Sequence, residues 1–125
     1  MSKLQVVVLE AKGIPKVDPV GWSDPYVQVR LGDGKVVETK VRKNEKSPVW
    51  DKRFQFNVSN KKEVLHLRIM DSDHLSKDDP IGTMEIPLES INPDKPVFQW
   101  FPIKLAPKVK PDSIPCQLRL IVEFI

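Results

Sequence analysis

The chain has 125 residues, 40% of them apolar and 30% charged, which suits one domain with a core of its own, residues 1–125. No apolar run approaches the ~20 residues of a membrane-spanning helix, and the opening MSKLQVVVLEAKG lacks the apolar core and small-residue cleavage site of a secretory leader. A formal charge of +3 is too small to announce a nucleic-acid binder, and Cys116, the single cysteine, has no partner for an internal disulfide, so a soluble monomer in a reducing, cytoplasmic setting is expected.

Alternation of apolar and polar residues, the period of a half-buried strand, recurs along the chain, and helix-period stripes do not. Leu4, Val6 and Val8 share one face of the first run, and Val27, Val29 and Leu31 share one face of the second. GDGK at 32–35 then carries the Asp-Gly pair that favours a tight hairpin. Val37, Thr39 and Val41 mark a third strand, Phe54, Phe56 and Val58 a fourth, and Leu65, Leu67 and Ile69 a fifth. Gly82, Met84, Ile86 and Leu88 mark the sixth, followed by a turn or short helix through ESINPDKP; FQWFPIKL and CQLRLIVEFI complete eight. The expected fold is all-β: an eight-stranded antiparallel sandwich, with most of the twelve prolines in its connections.

Charge is distributed unevenly. Six of the seventeen acidic residues fall in residues 18–24 and 71–79, while bases gather from Arg30 to Arg53 and from Lys104 to Lys110. Each acidic stretch begins where a strand stops. Loops that emerge at one end of a sandwich form a binding end, and there Asp18, Asp24, Asp71, Asp73 and Asp79 would repel one another without a counter-ion. Calcium suits such a cluster, because it accepts about six to eight oxygen ligands in flexible geometry. Zinc does not, since only His66, His74 and Cys116 offer nitrogen or sulfur. Magnesium stays open, although this many carboxylates favours the larger ion. The EF-hand spacing fails, with Leu75, Ser76 and Gly82 at its fifth, sixth and twelfth positions.

Three segments in order, LEAKGIPKVDPVGWSDPYVQV, SPVWDKRFQF and IMDSDHLSKDDPIG, make the chain resemble the C2 domain, the calcium-dependent phospholipid-binding module of synaptotagmins and conventional protein kinases C. The resemblance covers essentially the whole chain. It implies that Asp18, Asp24, Asp71, Asp73 and Asp79 supply calcium-ligating carboxylates, and that the backbone carbonyls of Val17, Ser72 and Lys77 with the Ser76 hydroxyl complete the shells of two or three Ca2+ ions. By the same likeness Asp78 contributes to the field and is not a ligand. The implied topology is the permuted one called type II, which starts on the strand before the first calcium loop and ends on an added strand. Ser47 departs from the family, which usually has Asn before that proline; a small effect on the turn is expected.

Two ions would bring +4 to five carboxylates at −5, and incompletely coordinated ions can take oxygens from anionic headgroups such as phosphatidylserine. Val20, Trp22 and Leu75 sit at or near the loop tips, where apolar side chains can enter the headgroup boundary; for Trp22 the alternative is that it folds back on the sandwich. Tyr26, Arg30, Lys40, Arg42, Lys52 and Arg53 come from neighbouring strands as a basic face and a second candidate site, for phosphoinositides. Gln28 and Glu38 stand where the family's phosphoinositide binders have lysines, and a merely solvated face is the alternative. No nucleophile, base and orienter assemble into an active site. A calcium-independent protein-interaction or phosphoinositide module is the competing reading, and a nucleic-acid role lacks stacked aromatics along a basic groove. The chain, starting with Met and stopping on a strand, reads as either a small whole protein or the amino-terminal module of a longer one.

Overall fold

The computed structural model describes residues 2–16, 21–73 and 75–125. Among these, nine strands appear in chain order: β1 (Ser2–Lys12), β2 (Pro25–Leu31), β3 (Val37–Glu38), β4 (Val49–Val58), β5 (Val64–Asp71), β6 (Asp79–Pro87), β7 (Val97–Pro102), β8 (Lys104–Leu105) and β9 (Gln117–Phe124). One 3-10 turn, Leu88–Ser90, follows β6. The strands form two antiparallel sheets, β4-β1-β9-β7 and β3-β2-β5-β6-β8.

Period-two alternation decides which faces meet. Leu4, Val6 and Val8 of β1 and Leu118, Leu120 and Val122 of β9 are fully buried, and they join one core with Val27 and Val29 of β2 and Leu65, Leu67 and Ile69 of β5. Each such side chain withdrawn from water contributes about 1.5–3 kcal/mol. The last strand is no appendage: β9 lies between β1 and β7, pairing with β1 from Leu4 opposite Phe124 to Lys12 opposite Gln117 with one register shift between Val8 and Glu10. This is the permuted, type II arrangement that the first and last strands imply.

Two strands differ from their sequence patterns. The third run keeps only Val37 and Glu38 in the ladder, because the Thr39 hydroxyl accepts the Val27 N–H at 2.9 Å, a bond that a strand carbonyl would otherwise make. The chain still tracks β2 beyond that point, with Arg42 N–H donating to the Pro25 carbonyl and Glu45 N–H to that of Ser23. FQWFPIKL, read as one strand, changes sheets in its middle. Val97–Pro102 pairs with β9, Lys104 and Leu105 pair with β6, and Ile103 between them is buried.

That change of sheet brings backbone against Gly82, where a Cβ would stand 2.5 Å from Ile103 Cγ2 and 2.7 Å from the Lys104 carbonyl oxygen. Gly82→Ala therefore forces β8 away from β6. We expect a loss of about 1–3 kcal/mol, measured as a lower urea midpoint at unchanged slope; an unchanged midpoint would contradict the close approach.

Candidate cation rim and its surroundings

Strand register builds the rim. β2 starts at Pro25, β5 ends at Asp71 and β6 starts at Asp79, and the ladder pairs Pro25 with Asp71 and Asp71 with Asp79. Asp24 and Asp79 therefore flank Asp71 on the two neighbouring strands. Hydrogen bonds then join the loops: Asp24 N–H donates to Asp71 Oδ1 at 2.8 Å, and Ser72 N–H returns to the Asp24 carbonyl at 3.0 Å. The two acidic connections thus meet at the same end of the sandwich. Asp71 is 4% exposed, Asp24 and Asp73 are half-buried, and Asp79 is exposed. Asp18 and Val17, with Val20, lie outside the described residues.

A third connection, 43–48, also reaches this rim. Asn44 N–H donates to Asp24 Oδ1 at 2.6 Å, while Asn44 Oδ1 accepts the Trp22 N–H at 2.7 Å. Asn44 adopts a positive φ of 52°, which Asn tolerates better than most residues. Gly21, at φ +74°, packs so closely that a Cβ would lie 3.0 Å from Asn44 Oδ1.

The expected donors are all oxygen, the chemistry of a hard cation such as calcium: of those described, four carboxylates with the carbonyls of Ser72 and Lys77 and the Ser76 hydroxyl. Asp73 Oδ1 accepts the Leu75 N–H and Oδ2 the Ser76 hydroxyl, both at 2.9 Å, which folds the second acidic loop over its own carboxylate. Among the described residues, no three His, Cys, Asp or Glu side chains stand close enough to form a ready-made metal cluster. The residues fit a calcium ion by donor type.

The C2 domain family profile matches residues 2–103. This chain belongs to that family. Synaptotagmin-5 of Rattus norvegicus is 34% identical over 118 residues, covering 90% of this chain and 31% of that protein. The chain thus spans about a third of the length of the synaptotagmins it matches. In structure, a C2 domain of plant Extended Synaptotagmin 1 superposes with a TM-score of 0.85 at 22% identity, over 98% of this chain and 93% of that one. The calcium-bound tandem C2 domains of Extended-Synaptotagmin 2 superpose at 0.83 and 25% identity, over 98% of this chain and 45% of that one. The family match stops at residue 103, yet β9 beyond it closes the first sheet of this C2 domain.

Asp78 of the C2 domain has a role that the sequence did not suggest. Its Oδ2 accepts the hydroxyl of Tyr26 and its Oδ1 accepts the Asp73 N–H at 2.9 Å, so one carboxylate fastens the second acidic loop to β2. Tyr26, expected on the outer face with Gln28 and Arg30, is only 6% exposed. Burial, then the bond to Asp78, pushes the Tyr26 phenol well above its ordinary range. The same bond, with the Asp73 N–H behind it, holds the Asp78 carboxyl below the usual carboxylate range.

At the tips Leu75 is 96% exposed. Trp22 is half-buried between two lysines, with Lys16 Nζ 4.6 Å and Lys46 Nζ 5.2 Å from its ring centroid. The predicted basic face is divided by the structure. Lys40, Arg42 and Lys52 line one groove of about 510 Å³ with Glu38, Thr39 and Trp50, whose buried Nε1 has no hydrogen-bond partner among the described residues. Arg30 lines a different groove with Gln28, His66 and Arg68, Arg53 alternates to the opposite side of β4 from Lys52, and Tyr26 is committed to Asp78. His66 Nδ1 lies 3.2 Å from Glu85 on that outer face, and burial pushes the Cys116 thiol up to about 11, which leaves it no thiolate at neutral pH.

Tyr26 is the only tyrosine, so phenolate absorbance reports this staple alone. We expect the native band to emerge only above the ordinary phenol range and to return to that range in urea. The linkage signs follow: the raised phenol contributes stability that is present below ~10 and lost as pH rises further, and the lowered carboxyl contributes stability lost as pH falls through the carboxylate range. Tyr26→Phe should flatten both flanks of the stability profile. An ordinary native phenol titration would contradict the staple.

Proposed function

We propose that this C2 domain binds anionic phospholipid membranes in response to calcium, as a membrane-targeting module and not as an enzyme. The supporting observation is the convergence of the two acidic loops through Asp24 and Asp71, which concentrates negative charge at one rim of a family whose calcium-bound members share this fold. In this reading Asp18, Asp24, Asp71, Asp73 and Asp79, with the Val17, Ser72 and Lys77 carbonyls and the Ser76 hydroxyl, hold two or three Ca2+ ions.

The mechanism is electrostatic. At rest the rim repels a phosphatidylserine surface. Bound calcium cancels most of the −5 and leaves coordination positions that headgroup oxygens fill, so calcium and lipid each raise the other's affinity. Leu75, already presented to solvent, then enters the headgroup boundary with Trp22 and Val20. A domain operating this way resides in the cytoplasm, where no transmembrane helix is needed, and joins membranes peripherally when calcium rises. Among the described residues no helix is long and apolar enough to cross a membrane.

Sedimentation with phosphatidylserine vesicles tests the switch. Binding should require calcium, and Asp71→Asn with Asp73→Asn should abolish it, because each amide is nearly isosteric with the carboxylate and its oxygen still accepts the backbone N–H, but it carries no charge. Thermal melting in chelator should not fall, since two repelling charges are removed. Equal vesicle binding with and without calcium would reject the mechanism.

A second headgroup site for phosphoinositides is the groove of Lys40, Arg42 and Lys52, favoured by the convergence of three cations against the single carboxylate of Glu38. Arg42 is tied to the Val49 carbonyl through its Nε at 2.9 Å, so the cleaner variant is Lys40→Ala with Lys52→Ala. Phosphoinositide vesicles should lose about thirtyfold in affinity, at ~1 kcal/mol per cation, while phosphatidylserine binding in calcium changes little. An equal loss on both vesicles would point to general charge.

A further inference from the structure

The basic run near the end of the chain, Lys104 to Lys110, has no part in the preceding reading, although its turn lies against the acidic rim. Ala106 N–H donates to the Ile81 carbonyl and Val109 N–H to the Ala106 carbonyl, both at 2.9 Å, so the turn at 106–109 is fastened to β6 just beyond Asp79. Between the turn and the start of β6 lies a cleft of about 550 Å³. Lys16, Lys108 and Lys110 line it, Pro80, Ala106, Pro107 and Val109 give it apolar walls, and Asp79 stands at its rim side. All three lysines are exposed, and Lys16 also lies over the Trp22 ring.

We propose that this cleft seats the phosphate of a membrane phospholipid headgroup, with Lys16, Lys108 and Lys110 around the phosphate and the lipid's glycerol region against Pro80, Ala106 and Val109. Three ammonium groups against one carboxylate give the cleft a net +2, which selects an anion. The apolar walls select an anion that carries carbon, which inorganic phosphate does not. The position selects a membrane, because Asp79 of the acidic rim and Lys16, which lies over the Trp22 ring, both line the cleft, so it borders the end of the sandwich that those loops would dock with. Asp79 is the one repulsive group, and a cation on it turns the wall attractive, so the cleft strengthens when the rim is loaded. This assignment rests on the membrane reading above and adds a lysine-held phosphate seat distinct from both the ion rim and the groove of Lys40 and Lys52.

The test compares Lys108→Ala/Lys110→Ala with Lys61→Ala/Lys62→Ala, a pair of equal charge on the β4–β5 connection at the opposite pole. On phosphatidylcholine vesicles containing phosphatidylserine, in calcium, the cleft pair should weaken binding about thirtyfold, since each lysine near the surface contributes a factor of roughly five, and the distal pair should change it little. No loss in the cleft pair, or equal loss in both pairs, overturns the proposal. Backbone amide resonances of residues 106–110 should move on titration with water-soluble short-chain phosphatidylserine, in chelator as well as in calcium, and should not move with inorganic phosphate alone. Movement with phosphate alone would assign the cleft to a free anion and overturn the lipid assignment. Failure of the calcium switch is separately visible as wild-type vesicle binding that ignores chelator, a condition in which the amide shifts still decide the cleft.

Discussion

The hydrogen bond from the Asp24 amide to the buried Asp71 carboxylate joins fold to function in this protein. It needs β2 and β5 in the register that sets Pro25 opposite Asp71. A slip of one residue would exchange the faces of every side chain on the strand, exposing Val27 and Val29 and turning the carboxylate away. The core thereby enforces the rim: Val27, Val29, Leu67 and Ile69 admit one pairing, and that pairing aligns the aspartates.

Like charges held together cost free energy, and the loops offset it with an unusual density of donors. Asp24, Asp71, Asp73 and Asp78 each accept at least one backbone N–H from the rim connections, and Asp73 and Asp78 accept a hydroxyl as well. Such bonds to an ionised acceptor are stronger than neutral ones. They also divide the labour. Asp78, bound to Tyr26 and the Asp73 amide, anchors the loop. A neighbouring pair of aspartates thus separates into a half-buried anchor, Asp78, held by Tyr26 and the Asp73 amide, and an exposed rim residue, Asp79, at the start of β6.

Exposed cations border the acidic rim: Lys16 and Lys46 over Trp22, and Lys108 and Lys110 across the cleft from Asp79. An empty rim would be repelled by an anionic surface at its centre and attracted at its margin.

Period-two alternation was enough to read the sandwich, its inward faces and the two acidic connections, because burial of one strand face leaves a local signature in sequence. The C2 resemblance followed from three such segments in order. What the sequence did not display was anything made by side chains from distant segments. Thr39 has the alternation of a strand residue, yet its hydroxyl takes the place of a ladder carbonyl. FQWFPIKL alternates without showing that it crosses between sheets. Asn44 and the Tyr26–Asp78 staple join positions 20 or more residues apart, and Lys16 meets Lys108 and Lys110 only when β6 and the 106–110 turn pack together. Local pattern determines which residues are buried; which polar groups meet depends on register and on the path of the connections, and these exist only once the core has closed.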